Sequence, residues 1–441
     1  MSVEPLRRLL SLGLWLALLW LAETAAAAPD IQHWTTARGG RVYFVPTTGL
    51  PLVDVRLVFD AGSARDGAKF GLAALTSALL DSGAGAWDAD TVAQRLENVG
   101  ALLNTGVGRD SAYVWLRSLT LPDKLSVALD TAREVLAHPR FDPKDLDREK
   151  NRALLAIKQR GEEPDQLADL AFFQALYGDH PYAHPPDGLA ETVQPLTRAD
   201  LVEFHRRLYV VRNAIVAIVG DVSRKDAEAI ADQLLSGLPE GEPQPPLPAP
   251  APNRAPQGVR TPFPSEQTHI LAGELGMTAN DPDYFPLYVG NHILGGSGLV
   301  SRIMEEVREK RGFAYSAYSY FFPQRQAGPF EIGLQTRNDK AEEALKLAIA
   351  TVRNFVDKGP TEQELEAAKK NIIGGFVLRL DSNQKLVGEV ASIAFYDRPL
   401  DYLETFPQKV QAVTREDIKR AFKARIDPDR LQTVLVGGAV R

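Results

Sequence analysis

The chain has 441 residues, too many for one ordinary domain at ~100 to 200 residues each. Its 44% hydrophobic and 24% charged residues are those of a globular protein, and a formal net charge of -7 argues against general nucleic-acid binding. With no cysteine, the chain has no disulfide, thiolate metal site, iron-sulfur cluster or cysteine nucleophile.

Arg7 and Arg8 precede an apolar run from Leu9 to Leu21, and Ala25 to Ala28 follow before Pro29. That order is the one found in secretory signal peptides, which assigns 1–28 to a removable leader. An uncleaved amino-terminal anchor is the alternative. Either way the body of the protein is expected to be periplasmic or secreted, and no membrane contact is expected beyond this segment.

Val53 to Phe59 reads as a strand, followed by helical patterns over Gly71 to Leu80 and Ala89 to Val99. Strands at Ala101 to Gly106 and Ala112 to Leu119 come next, then helices from Asp123 and Pro143. A proline-rich stretch from Pro239 to Arg260 reads as an extended spacer. Beyond it the order repeats: a strand at Thr268 to Leu275, helices at Pro282 to Leu294 and Val300 to Arg311, strands at Tyr315 to Phe322 and Pro329 to Gln335, and helices from Asp339 and Thr361.

The repetition extends to the residues. The segment starting at Leu196 and the one starting at Val413 align without gaps, Thr197 with Thr414, Asp200 with Asp417 and Gly220 with Gly437, always 217 positions apart. This is an internal duplication. Each copy opens a helix with a Thr-x-x-Asp capping box and continues into a buried strand, Ala214 to Val219 or Thr433 to Val436. The fold expected is α+β: two homologous α/β sandwich domains, 29–238 and 261–441, joined by the linker 239–260. Two such domains can close around a ligand.

Three stretches carry a family resemblance: Gly71-Leu72-Ala73, HPYAHPPDG from His180, and LGGSGLVSRIMEEVREKRGFAYS from Leu294. Together they resemble the M16 metallopeptidases, a family that includes pitrilysin, insulin-degrading enzyme and the mitochondrial processing peptidase. The resemblance runs from about Val42 to Val440 and implies an M16 peptidase-like, LuxS/MPP-like fold. Active members carry His-x-x-Glu-His on the helix after Gly-Leu-Ala, with a further Glu on a later helix. Two histidines at i and i+4 share one helical face and one zinc, and the Glu takes a proton from the zinc-bound water. The corresponding residues here are Ala74, Ser77 and Ala78, and the distal Glu falls near Ala156. These replacements remove zinc binding and water activation together, so no cofactor is expected in this chain.

His180 and His184 also stand at i and i+4, but the prolines that follow each of them break any helix. Packed or solvated imidazoles are expected there, not metal ligands.

The resemblance leaves one constellation intact. Arg308 and Tyr315 match the family pattern Arg-x-x-x-Gly-x-x-Tyr, with Gly312 capping the helix, and the matching family residues hold the substrate backbone near the scissile bond. A guanidinium and a phenol both donate to an oxygen that gains charge in the transition state. Read without the resemblance, Arg308 belongs to a solvated charged helix face and Tyr315 to a half-buried strand. Asn104 lies in the segment resembling the family's edge strand, where peptides pair by β-augmentation; an ordinary hairpin is the competing reading.

The resemblance therefore implies a zinc-less subunit that lends peptide binding and transition-state contacts to a homologous zinc-bearing partner, with zinc in that partner and peptide between them. The competing readings are a purely structural or peptide-binding homologue and, least favoured, a peptidase with unorthodox ligands.

Overall fold

Two mixed sheets organise the described residues, 29–251 and 255–438, in a computed structural model; the segment 1–28, expected above to be a leader, lies outside them. The first sheet has six strands: β1 (Gln32–Thr35), β2 (Arg41–Pro46), β3 (Leu52–Phe59), β4 (Leu102–Val107), β5 (Ala112–Leu119) and β6 (Ala214–Gly220). The second has β7 (Gly258–Thr261), β8 (Gln267–Leu275), β9 (Ala314–Phe321), β10 (Pro329–Arg337) and β11 (Gln432–Val436).

Their spatial orders are β1-β2-β6-β3-β5-β4 and β7-β11-β8-β10-β9. Without β1 the two orders coincide strand for strand, and in both the one parallel pair joins the first common strand to the last, β2 to β6 and β7 to β11. The duplication is thus a duplication of an α+β unit. Both capping boxes form: Thr197 N–H donates to Asp200 Oδ2 at 2.8 Å, and Thr414 N–H donates to Asp417 Oδ2 at 3.1 Å.

The two units are interlocked by a helix from each. Helix Pro164–Tyr177 of the first half packs on β8 and β11 of the second, and helix Asn383–Phe395 of the second half packs on β3 and β6 of the first. Shifted by 217, Pro164–Tyr177 falls on 381–394, within two residues of Asn383–Phe395, so the exchange is reciprocal. Phe172, Leu176 and Tyr177 share a core with Leu271, Val434 and Val436, while Leu386, Val387 and Val390 belong to a core that reaches Val58, Ile215 and Ala217.

The proline-rich linker is packed rather than free, contrary to the spacer reading. Leu247 is buried in the same core as Tyr177 and Tyr182, Pro248 O accepts a hydrogen bond from His180 at 2.8 Å, and Leu247 O accepts one from Gln326 at 2.7 Å. Residues Gly258 to Arg260 already belong to β7. Proline removes backbone donors, but its carbonyls remain good acceptors, and the linker uses them to tie the halves together.

A polar cluster completes the junction. Asp110, 5% exposed, accepts from Tyr182 Oη, from Tyr396 Oη at 3.1 Å and from Arg325 N–H at 2.9 Å. Arg325 also stacks on Phe395, 4.1 Å from its centroid, and donates to Phe395 O at 3.1 Å. Three donors from distant sequence meet on one buried carboxylate, and two of them, Tyr396 and Arg325, come from the other half.

Two predicted helices differ: Pro282 to Leu294 is α-helical over Tyr284–Asn291 and π-helical from His292 to Gly296. Val300 to Arg311 is a 3-10 turn (Gly298–Val300), one α turn (Arg302–Met304) and a π-helical stretch (Glu305–Glu309). It ends as expected at Gly312, with φ +61 and its N–H on Arg308 O at 2.8 Å.

Candidate functional site

Helix Leu72–Ala78 begins at Gly71, whose φ of +94 lets the chain turn in. Asp66 caps it, accepting from Gly71 N–H and Ala73 N–H, both at 2.8 Å. Burial pushes the Asp66 carboxyl up to about 7, against the pull of those N–H groups. Ala74 is partly buried and Ala78 exposed, one turn apart on the same face. Ser77, 2% exposed, keeps its Oγ without a partner, while its carbonyl accepts from Thr105 of β4 at 2.8 Å.

The donor set does not fit zinc. Methyl groups at 74 and 78 supply no lone pair, a serine hydroxyl is too weak a base to activate water, and Ala156 stands exposed on helix Pro143–Arg160 with nothing to coordinate. Among the described residues no group of three or more His, Asp or Glu is placed to hold a metal.

His180 and His184 are packed, as their prolines imply. His180 Nδ1 accepts from Tyr182 N–H at 3.1 Å while Nε2 donates to Pro248 O, and the ring lies against Tyr177 and Tyr182. His184 stacks on Phe70 at 4.1 Å. Burial lowers the pKa of both, which favours the neutral rings. The HPYAH segment is the joint between the halves.

Arg308 and Tyr315 come together. The guanidinium carbon lies 5.3 Å from the Tyr315 centroid, and Tyr315 is 84% exposed on β9, an edge strand. Arg308 also meets Glu309 at 3.4 Å, a surface pair too solvated to hold it firmly.

A β-bulge aims this tyrosine. Ala317 pairs with Leu334 and Ala314 with Thr336, so Tyr315 and Ser316 together oppose Gln335. In an unbroken strand Tyr315 and Tyr318, three residues apart, point to opposite faces. The extra residue returns Tyr315 to the face that carries Ser316, Tyr318 and Tyr320. Phe322 continues the row, with ring centroids 5.3 Å apart for Tyr318 and Tyr320 and 6.1 Å for Tyr320 and Phe322. Tyr318 lies over Gly333, where a Cβ would come within 2.2 Å of its ring.

The bulge and this aromatic row escaped sequence reasoning; the only signal was the odd Tyr315–Tyr318 spacing in an otherwise alternating strand. The same face borders a cavity of about 290 Å³ against helix Pro164–Tyr177, lined by Asp165, Asp169, His269, Ser316, Tyr318 and Gln335. Glu331, 6% exposed on β10, stands beside it; burial first, then the Asp169 charge, pushes its carboxyl up to about 7.

Asn104 lies exposed on β4, which pairs with β5 alone and is the edge of the first sheet. The backbone beside it is open on one side, the prerequisite for pairing with an added strand. Asn104 and the Arg308–Tyr315 pair sit on the edges of different sheets.

Comparison with known proteins identifies the frame. Residues 42–186 match the family model "Insulinase (Peptidase family M16)" and residues 195–372 match "Peptidase M16 inactive domain". An uncharacterized zinc protease of Mycobacterium tuberculosis is 30% identical over 92% of this chain and 94% of its own. The chain belongs to peptidase family M16.

An M16 relative from Helicobacter pylori named a non-peptidase homolog is 26% identical over 88% of this chain and 89% of its own. A solved structure, the peptidase M16 inactive domain from Pseudomonas fluorescens, superposes with a TM-score of 0.90 at 40% identity, covering 93% of this chain and 98% of that one. Within the M16 frame the helix Leu72–Ala78, with Ala74, Ser77 and Ala78, falls in the insulinase match and the Arg308–Tyr315 pair in the inactive-domain match. The protein is an M16 homologue of the inactive type.

Proposed function

We propose that this chain is the zinc-less subunit of a heterodimeric M16-type peptidase, exported from the cytoplasm, that binds peptide and presents Arg308 and Tyr315 to the scissile bond in a zinc-bearing partner's site. The observation that carries the reading is the bulged edge strand β9. It holds Tyr315 almost fully in solvent beside Arg308, while the zinc-binding positions of the same chain are methyl groups. Two donors on a free edge, held internally only by the solvated Glu309 pair, suit an oxyanion supplied from outside the chain. The cofactor of the pair is the partner's zinc.

The test is reconstitution. The chain is purified alone and together with a family-like protein that carries His-x-x-Glu-His, and cleavage of a quenched fluorescent peptide is followed. Cleavage that needs both chains supports the reading; equal cleavage by the partner alone sinks it.

The name of the Helicobacter pylori relative, a non-peptidase homolog, favours a second reading: a structural or peptide-binding protein with no catalytic role. On that reading substitution of Arg308 changes no rate in any assembly.

A further inference from the structure

A second cavity, of about 210 Å³, opens beside the turn that follows β4. Two arginines enter it. Arg109 is held rigidly, because the turn carrying it is pinned by Ser63 N–H to Gly108 O at 2.9 Å and Ala64 N–H to Arg109 O at 3.0 Å. Its guanidinium lies flat on Phe173, 3.7 Å from the centroid, and its Nε donates to Tyr182 O at 3.1 Å. Arg160, with 9% of its side chain exposed, donates to Asp187 at 2.9 Å and to Gly188 O at 2.9 Å.

The two arginines are not equivalent. Arg160 has its counter-ion in Asp187. Arg109 is not paired directly: among the described residues no carboxylate stands within ion-pair distance, although Asp169 on the same cavity wall and Asp110 favour its charge from farther off, and burial lowers its pKa. A guanidinium has five N–H donors, and Arg109 uses one, leaving its two terminal nitrogens without a protein acceptor. Withdrawing an arginine from water without a directly paired anion is costly, and the two terminal nitrogens form the fork that fits the two oxygens of a carboxylate.

We infer that Arg109, with Arg160 beside it and Phe173 as its floor, forms a subsite for the carboxylate of a bound peptide. Asp169 and Asp187 at the rim set the charge of the ligand: a monoanion is accepted and a dianionic phosphate repelled. The carboxylate comes from an acidic side chain or from a peptide's carboxyl terminus. The subsite rests on and deepens the peptide-holding reading above, because Arg109 lies two residues beyond the end of the edge strand β4.

The experiment titrates the lone protein calorimetrically at pH 7 with three small probes. N-acetylglycine stands for a terminal carboxylate, N-acetylglutamate α-amide for an acidic side chain and N-acetylglutamine amide for neither. At least one carboxylate is expected to bind at least tenfold more tightly than the neutral amide, and the one that does identifies the source. Arg109→Lys, which keeps the charge but loses the fork, should lose about tenfold. Gln166→Glu, on an exposed position of the cavity wall, should lose as much with an unchanged melting temperature. Equal binding of all three probes, no saturable binding of either carboxylate, or full binding by the folded Gln166→Glu variant overturns the subsite. Since neither partner nor cleavage enters this measurement, its failure leaves partner-dependent activity standing, and loss of that activity leaves the subsite standing.

Discussion

The guanidinium of Arg308 lies 5.3 Å from the ring centroid of Tyr315, and Tyr315 is 84% exposed. A cation–π contact in solvent contributes only ~0.5 to 1 kcal/mol. Arg308→Ala and Tyr315→Phe should therefore each change the unfolding free energy by less than ~1 kcal/mol. Urea titration followed by circular dichroism measures this. A loss of several kcal/mol would make the pair a structural element.

The exchanged helices make the halves one folding unit. Phe172 is fully buried between helix Pro164–Tyr177 and the second sheet, and Phe172→Ala should cost ~3 to 5 kcal/mol. Because each sheet is covered by the other half's helix, wild type and variant should both melt in a single calorimetric transition. Two resolved transitions would show that the interlock does not couple the halves.

Glu331 makes stability depend on pH in an unusual direction for a carboxylate. Its folded pKa, about 7, lies above the ordinary carboxylate value because it is buried and faces Asp169. Between about pH 7 and 4.5 the folded protein holds a proton that the unfolded chain releases, so this group stabilises the fold as pH falls and destabilises it above 7. Glu331→Gln removes that charge. The variant should exceed wild type in melting temperature at pH 8, and the advantage should shrink towards pH 5. A difference that does not vary with pH would contradict the assignment.

His180 serves the joint and not a metal. Removing its ring leaves the Pro248 carbonyl and the Tyr182 N–H without partners, and His180→Ala should cost ~1 to 3 kcal/mol. Zinc added to wild type should leave the melting temperature unchanged, which differential scanning fluorimetry reads directly. A zinc-dependent rise that His180→Ala abolishes would reverse this.

How much of this was legible in the sequence follows from the kind of signal each part leaves. The duplicated capping boxes and the strands are local, and residue identity alone revealed them, as Thr197 and Asp200 bond as their spacing requires; the degenerate zinc positions were located by the family resemblance, after which Ala74 has no donor in any fold. Helices Pro164–Tyr177 and Asn383–Phe395 left little trace because they are gripped by sheets and loops from both halves, so neither shows the one-sided apolar stripe of a surface helix. The linker misled for a related reason. Proline content predicts stiffness, but the burial of Leu247 and the use of Pro248 O depend on partners more than sixty residues away in either direction. Arg308 and Tyr315 were found by their pattern, yet their shared direction rests on a bulge that only the register of β9 against β10 reveals.

The most direct measurement is the turnover of the reconstituted pair with wild-type, Arg308→Ala and Tyr315→Phe versions of this chain, the zinc-bearing partner held constant. Loss of one donor to a developing oxyanion lowers kcat by ~10² to 10³. A fall of that size in both variants, with the assembly intact by gel filtration, is the predicted result. Unchanged turnover in both would contradict a catalytic contribution from this subunit.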